Sequence, residues 1–230
     1  MEHGFIWVGI LPGLSALKPH TATAVVVAIL VVWLAWAARR GLDRAKEPLV
    51  PDGRASARDV VEMVTTFIHD LAQSVIGHHA DRYVPFFGSL FLFILSCNLI
   101  GLVPGFTPPT DSFNTTVGLG AVSFLVYNYF GIREHGAKYV KQFIGPVALL
   151  ALLMLIVELF SHMFRPLSLA IRLYGNMFAD HLVLGIFTDL TKLVIPVAFY
   201  ALGAFVCLVQ AFVFTLLSMV YVALAVSHEH

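Results

Sequence analysis

Charge is what this 230-residue chain has least of: Asp, Glu, Lys and Arg together make up 12% of it, against 59% hydrophobic residues. Soluble domains carry about 25% charged residues, so this composition, with a mean hydropathy of +0.85, is that of a membrane protein. Neither sign is in surplus. Fourteen Lys and Arg cancel fourteen Asp and Glu, leaving no basic excess to hold nucleic acid and no acidic tail to stay disordered. Cysteine is equally scarce: Cys97 and Cys207 lie inside apolar runs with no CxxC or Cys/His spacing around them. That pattern excludes disulfide frameworks and zinc sites and makes both small core residues. The chain also lacks an ATP-binding motif, an internal repeat, a low-complexity linker and any HxxxH cluster within its apolar runs. Nucleotide chemistry is therefore not expected of this chain, nor is a bound metal or other cofactor.

What is present is a series of apolar runs. Residues 1–20, without a basic leader region, read as a mature outer segment. The uncharged stretch from Ala22 to Ala38 ends at Arg39 and Arg40 and supplies a first span over residues 21–40. Arg39, Arg40, Arg44, Lys46, Arg54 and Arg58 crowd the next loop, which the positive-inside rule assigns to the cytoplasm, with the N-terminus outside. Within this loop, over residues 41–82, Val60, Val61, Val64, Phe67, Ile68, Leu71, Val75 and Ile76 recur at three and four, the pattern of an amphipathic helix. His69, His78 and His79 read as surface or interfacial. Residues 83–130 hold the second and third spans, Phe86 to Val103 and Asn114 to Phe130, separated by the breakers Pro104-Gly105 and Pro108-Pro109.

Residues 142–230 pose a topological problem. Lys141 and Arg165 flank the apolar stretch Val147 to Phe164, and both ask for the cytoplasm, which a re-entrant or shallow helix would allow. Leu167 to Leu190 then runs outward and Leu193 to Val226 inward, the latter too long for a perpendicular crossing. The expected fold is one all-α polytopic membrane domain of five to six membrane helices, including the re-entrant segment and a long tilted C-terminal hairpin, with its C-terminus in the cytoplasm.

Ionisable groups inside such runs are functional candidates, because a charge at mid-bilayer costs about 3 kcal/mol even on insertion scales. Arg172 lies too far from either end of its run to snorkel easily and needs an anionic partner. That partner is either internal, at Glu158, Asp180 or Asp189, or a carboxylate on another chain. Asn176 and Asp180 follow Arg172 at four-residue intervals and continue its polar stripe. Glu158, Ser161 and His162 lie toward the cytoplasm, while Asp180 and His181 lie toward the outside. Two titratable clusters thus flank one fixed cation, an arrangement suited to proton entry and exit without a continuous pore. Gln210, a hydrogen-bonding group at mid-depth on the last helix, is expected beside Arg172. Each polar group taken singly can instead be a helix-joining hydrogen bond, and Gly175, Gly185 and Gly203 read as packing positions.

These residues lie in blocks of a known family. PLSLAIRLYGNM (Pro166 to Met177), NLIGLVPGFTPPTDSFNTT (Asn98 to Thr116), GIREHGAKYVKQFIGP (Gly131 to Pro146) and LVQAFVFTLLSMVYVALA (Leu208 to Ala225) resemble subunit a of the F-type ATP synthase, the static half of its rotary proton turbine. The resemblance implies that Arg172 is the essential arginine, set between two half-channels. It puts Asn176, Asp180, His181, Gln210 and Asn98 on the outer path and Glu158, Ser161, His162 and Ser168 on the cytoplasmic path. It further implies a c-ring, peripheral-stalk b subunits and a catalytic head as partners, a bacterial inner membrane as location, and ATP chemistry performed by other subunits. Two positions depart from the family pattern. Where some members have an acid this chain has His181, preceded by Asp180, and where His or Glu is frequent, seven residues before Gln210, it has Gly203. The reading from another class is a self-contained channel or secondary transporter in which Arg172 binds an anionic substrate or serves a structural role; the missing inverted repeat counts against it.

Overall fold

Backbone polar groups in hydrocarbon must be satisfied internally, and helices do so without a partner strand. The computed structural model describes residues 18–44, 57–77, 80–103, 105–136, 139, 151–191 and 194–226. Among them every regular element is helical: α1 (Pro19–Arg44), α2 (Ala57–Ile76), a 3₁₀ turn (Ala80–Arg82), α3 (Val84–Ile100), a second 3₁₀ turn (Pro109–Asp111), α4 (Phe113–His135), α5 (Ala151–Leu190) and α6 (Val194–Val226). Four of these helices are long and apolar enough to cross a membrane, over Pro19–Arg40, Phe113–His135, Leu153–Thr188 and Pro196–Val226, and Val84–Ile100 is a shorter apolar helix. The chain is accordingly a multi-pass membrane protein. The outer segment before residue 18, Lys46, Arg54, His78, His79, Lys138, Lys141, the stretch 142–150, Lys192 and the C-terminal SHEH lie outside the described residues.

α2 is the amphipathic helix expected from its spacing. It buries Val64, Ile68 and Ala72 against α1, α3 and α6. Gly77 ends it at φ +88°, a left-handed cap that a Cβ would strain, with its N–H bonded to the Gln73 carbonyl at 3.1 Å.

One expectation is corrected. The stretches read as a re-entrant segment and a separate outward helix are, from Ala151 onward, a single helix of 40 residues with Pro166 in its interior. Proline removes the N–H that residue 162 needs for its carbonyl, which is why the chain looked breakable there. In the fold, the Tyr127 hydroxyl of α4 donates to the His162 carbonyl at 3.4 Å, replacing the missing backbone donor. Gly120 lets α4 come close enough, since a Cβ there would lie 2.6 Å from the Pro166 carbonyl oxygen. At 1.5 Å per residue α5 is about 60 Å long, twice a hydrocarbon core of about 30 Å. The charge conflict at Arg165 is resolved locally, by an ion pair with Glu158 at 3.5 Å.

α5 and α6 pack on each other, and α4 packs on both, while α3 lies against α6. Leu169, Leu173 and Met177 form the buried stripe of α5, meeting Cys207, Ala211 and Phe214 of α6 in the core. Lipid tails are as apolar as these side chains, so close packing and buried hydrogen bonds hold the helices together. One such bond joins Ser123 to Ser218 at 2.8 Å, fully inside.

Candidate functional site

The stripe that faces the core leaves another side of α5 bare. Leu153, Ile156, Phe160, Met163, Phe164, Leu167, Ile171 and Phe178 are exposed apolar residues, and Arg172 is exposed among them. Arg172 lines an open concavity of about 340 Å³ with Phe164, Leu167, Ser168 and Ile171. Among the described residues its guanidinium has neither a hydrogen bond nor an ion pair. Of the internal partners considered from the sequence, Glu158 is paired with Arg165, Asp180 turns to α6, and the Asp189 side chain lies outside the described residues. A planar cation with five donors is thus offered on an apolar surface.

Asp180 and Gly203 come together across the two helices. A Cβ built on Gly203 would lie 2.7 Å from the Asp180 Oδ2, so the carboxylate occupies the space that any side chain at position 203 would take. One turn nearer Arg172, the Asn176 Nδ2 donates to the Gln210 Oε1 at 2.6 Å. Gln210, expected beside Arg172, has its amide oxygen held by Asn176, one turn from that arginine, and is buried at 3% exposure. Asn98 is buried against the same helix, its Nδ2 donating to the Cys207 carbonyl at 3.4 Å.

His181 reaches the end of α3, at Gly101. Its Nδ1 is 2.8 Å from the Met177 carbonyl and its Nε2 is 3.0 Å from the Gly101 carbonyl. Both neighbours only accept, and a neutral imidazole has a single N–H to give. Gly101 makes room for the ring, since a Cβ there would lie 2.7 Å from Nε2.

Two residues that the sequence reading gave no role join this cluster. Asp111 sits in the turn before α4, where burial pushes its carboxyl up from the usual value while His181 and His20 pull it back. His20, at the start of α1, has its Nδ1 3.1 Å from the Pro108 carbonyl. Asp111 stands out in the sequence as the one charge of its loop, though no role follows from that alone; nothing local marks His20. Asn98 Oδ1, Thr107 Oγ1, Thr110 Oγ1 and Asp111 Oδ1 are buried without a hydrogen-bond partner among the described residues. Buried oxygens of this kind are ordinarily satisfied by internal water.

At the other end of α5 the polar residues divide. Ser161 and Ser168 are exposed beside Arg172's face, whereas His162 is 7% exposed and turns toward α4. Its Nε2 is 2.8 Å from the Asn128 Oδ1, and its ring meets Tyr127 edge-on with centroids 5.0 Å apart. The Tyr139 hydroxyl also donates to the Asn128 Oδ1, at 3.2 Å. Arg165 bridges Glu158 and the Tyr221 ring, 5.7 Å from its centroid. Asn128, Tyr139 and Tyr221 were not singled out from the sequence, and Arg165 only as a flanking charge, because the roles of the first three arise only from contact between helices.

The chain matches the model of the family described as ATP synthase A chain over residues 21–223. It is 46% identical to the ATP synthase subunit a of Bdellovibrio bacteriovorus, covering 98% of this chain and 99% of that protein. Identity to the subunit a of Solibacter usitatus is 44%, over 91% and 87% of the two chains. Identity to subunit a 1 of Syntrophotalea carbinolica is 41%, over 92% and 87%.

Proposed function

Given that the chain belongs to the ATP synthase A chain family, a proton-translocating membrane subunit of the F-type complex, we propose that it is the stator against which a c-ring turns. The exposed cation on the apolar face of α5 carries this reading. A single unpaired arginine in a lipid-facing surface is costly; opposite a ring of carboxylates it acquires the anionic partner that the described part of its own chain does not supply.

The electrostatics then order the steps. A protonated ring carboxyl is stable facing lipid, because desolvation disfavours its anion, and it ionises on reaching the opposite charge of Arg172. Protons arrive from outside through the cluster of Asp111, His181, Asp180, Asn98 and the Asn176–Gln210 pair, where the buried Asn98 and Asp111 oxygens, without a partner among the described residues, favour a watered path. They load a ring carboxylate, travel with the ring, and leave through Ser168, Ser161, His162 and Glu158. Arg172 separates the two paths: Asp180 lies about 12 Å and Glu158 about 21 Å from it along the helix axis. Each proton contributes about 2.3 kcal/mol per 100 mV, so rotation must pool several for one ATP. The chain performs no ATP chemistry; the catalytic head does, and the peripheral-stalk b subunits hold this chain still against it. The N-terminus lies outside and the C-terminus in the cytoplasm of a bacterial inner membrane, in keeping with Arg39 and Arg40 at the inner end of the first span.

Cysteine substitutions from Ser168 to Asp180, cross-linked in native membranes, test the interface. Capture of a small carboxylate-bearing hairpin protein at helical periodicity, centred on the Arg172 face, is the expected result. A folded chain that captures none at any position would return the choice to a self-contained transporter.

A further inference from the structure

The Asn128 side chain is oriented by three partners at once. Its Nδ2 donates to the Phe124 carbonyl at 2.7 Å, and a carbonyl can only accept. Turning the amide over would set two oxygens against each other, so Oδ1 must face His162 and Tyr139. The Tyr139 hydroxyl and the His162 Nε2 approach that oxygen at 3.2 Å and 2.8 Å, and both must donate. The neutral His162 ring consequently carries its proton on Nε2, and the nitrogen able to take up another is Nδ1. Gly131 belongs to the same device: a Cβ there would lie 2.5 Å from the Tyr139 ring, so only glycine lets that ring lie on α4 with its hydroxyl on Asn128.

We propose that His162 is a proton-accepting residue of the cytoplasmic path and that Asn128 and Tyr139 are its positioning residues, holding Nε2 as the N–H nitrogen so that protons enter and leave through Nδ1. The proposal rests on the stator reading above and names who serves its exit. A proton released from the ring reaches Nδ1 through water and gives an imidazolium whose Nε2–H stays on Asn128. An amide oxygen has no proton to exchange, so release is again from Nδ1, to water or to the Glu158 carboxylate one turn away. One proton enters, one leaves, and His162 returns to its starting form. Among the described residues, the charged and titratable groups around it include Glu158 and Arg165 on α5, paired at 3.5 Å, Tyr127 on α4, Tyr139, and Tyr221 on α6 behind Arg165. Conduction is therefore expected to carry an inflection with cytoplasmic pH that belongs to this ring.

The test uses the whole complex in inverted vesicles, with passive proton conduction measured against cytoplasmic-side pH after the catalytic head is removed, and ¹⁵N-histidine spectra of the same assemblies. The His162 signals are assigned by their loss in His162→Gln. Expected are an Nε2–H ring in the unaltered protein, loss of one inflection in His162→Gln, and in Asn128→Leu a mixed tautomer with a displaced inflection. Asn128→Asp, which retains an acceptor, keeps the Nε2–H form and covers the event that Asn128→Leu does not assemble. An Nδ1–H ring in the unaltered protein, or an unchanged conduction–pH curve in His162→Gln, overturns the proposal. If ATP-driven proton pumping by the intact complex is lost in Arg172→Ala, that outcome leaves the stator reading standing; normal ATP-driven pumping in Arg172→Ala overturns the stator reading itself.

Discussion

Replacing Tyr127 by phenylalanine removes one oxygen from a fully buried ring and leaves the ring's contacts with His162 and Phe124 in place. What is lost is the donor to the His162 carbonyl, the acceptor left open by Pro166. A buried carbonyl without a partner costs about 1–3 kcal/mol. At 3.4 Å the bond is long, which places the expected loss near the lower end, about 1–1.5 kcal/mol. The structure also says how to cancel it. Pro166→Ala restores the backbone N–H that serves residue 162 within α5, so in that background Tyr127→Phe is expected to cost about 1 kcal/mol less. The four proteins of this cycle are compared by denaturant unfolding in one detergent, and the coupling energy is read directly. Additivity within about 0.5 kcal/mol would mean that the hydroxyl does not replace the missing amide, and the explanation for the unbroken helix would fall.

Three further outcomes are expected. Arg172→Ala abolishes ATP-driven proton pumping in assembled complexes, and Arg172→Lys, which keeps the charge but loses the planar fork, is severely impaired; normal pumping in either would remove the arginine from the mechanism. Gly203→Ala puts a Cβ 2.7 Å from Asp180 Oδ2 and 3.0 Å from Leu102 Cδ2, displacing the carboxylate at the end of a rotatable side chain. Proton conduction should slow while the complex still assembles, with Gly118→Ala, where a Cβ meets nothing within 4 Å, as an unaffected control; equal conduction in the two variants would contradict it. Asp70 on α2 and Asp81 in the following 3₁₀ turn hold the pKa of His69 above its ordinary value of 6.5, with Asp81 at 2.8 Å. Because the folded value is the higher one, these pairs support the α2 end fully below pH 6.5 and lose that support as pH rises through the raised value. Asp81→Asn should lower the titration midpoint of His69 in NMR spectra; an unchanged or higher midpoint would refute the pairing.

Local periodicity was enough to reveal the apolar helices, the amphipathic α2 and the polar stripe on which Arg172 and Asn176 lie, since 3.6 residues per turn decides which side chains share a face. The same rule separated Glu158, Ser161 and His162 from Asp180 and His181 along one axis. It could not tell that Pro166 leaves α5 intact, because the compensating donor, Tyr127, lies 35 residues away on another helix. Nor could it join Asp180 to Gly203, seat Asn176 on Gln210, or bring His20 and Asp111 to His181. The amino-acid sequence by itself determined that this is a helical membrane protein carrying an arginine inside one of its apolar runs, because hydropathy and helical pitch are properties of neighbouring residues. Which groups meet that arginine's two flanks was decided only by tertiary structure, because hydrogen-bond partners and the space beside a glycine depend on which helices pack and how closely.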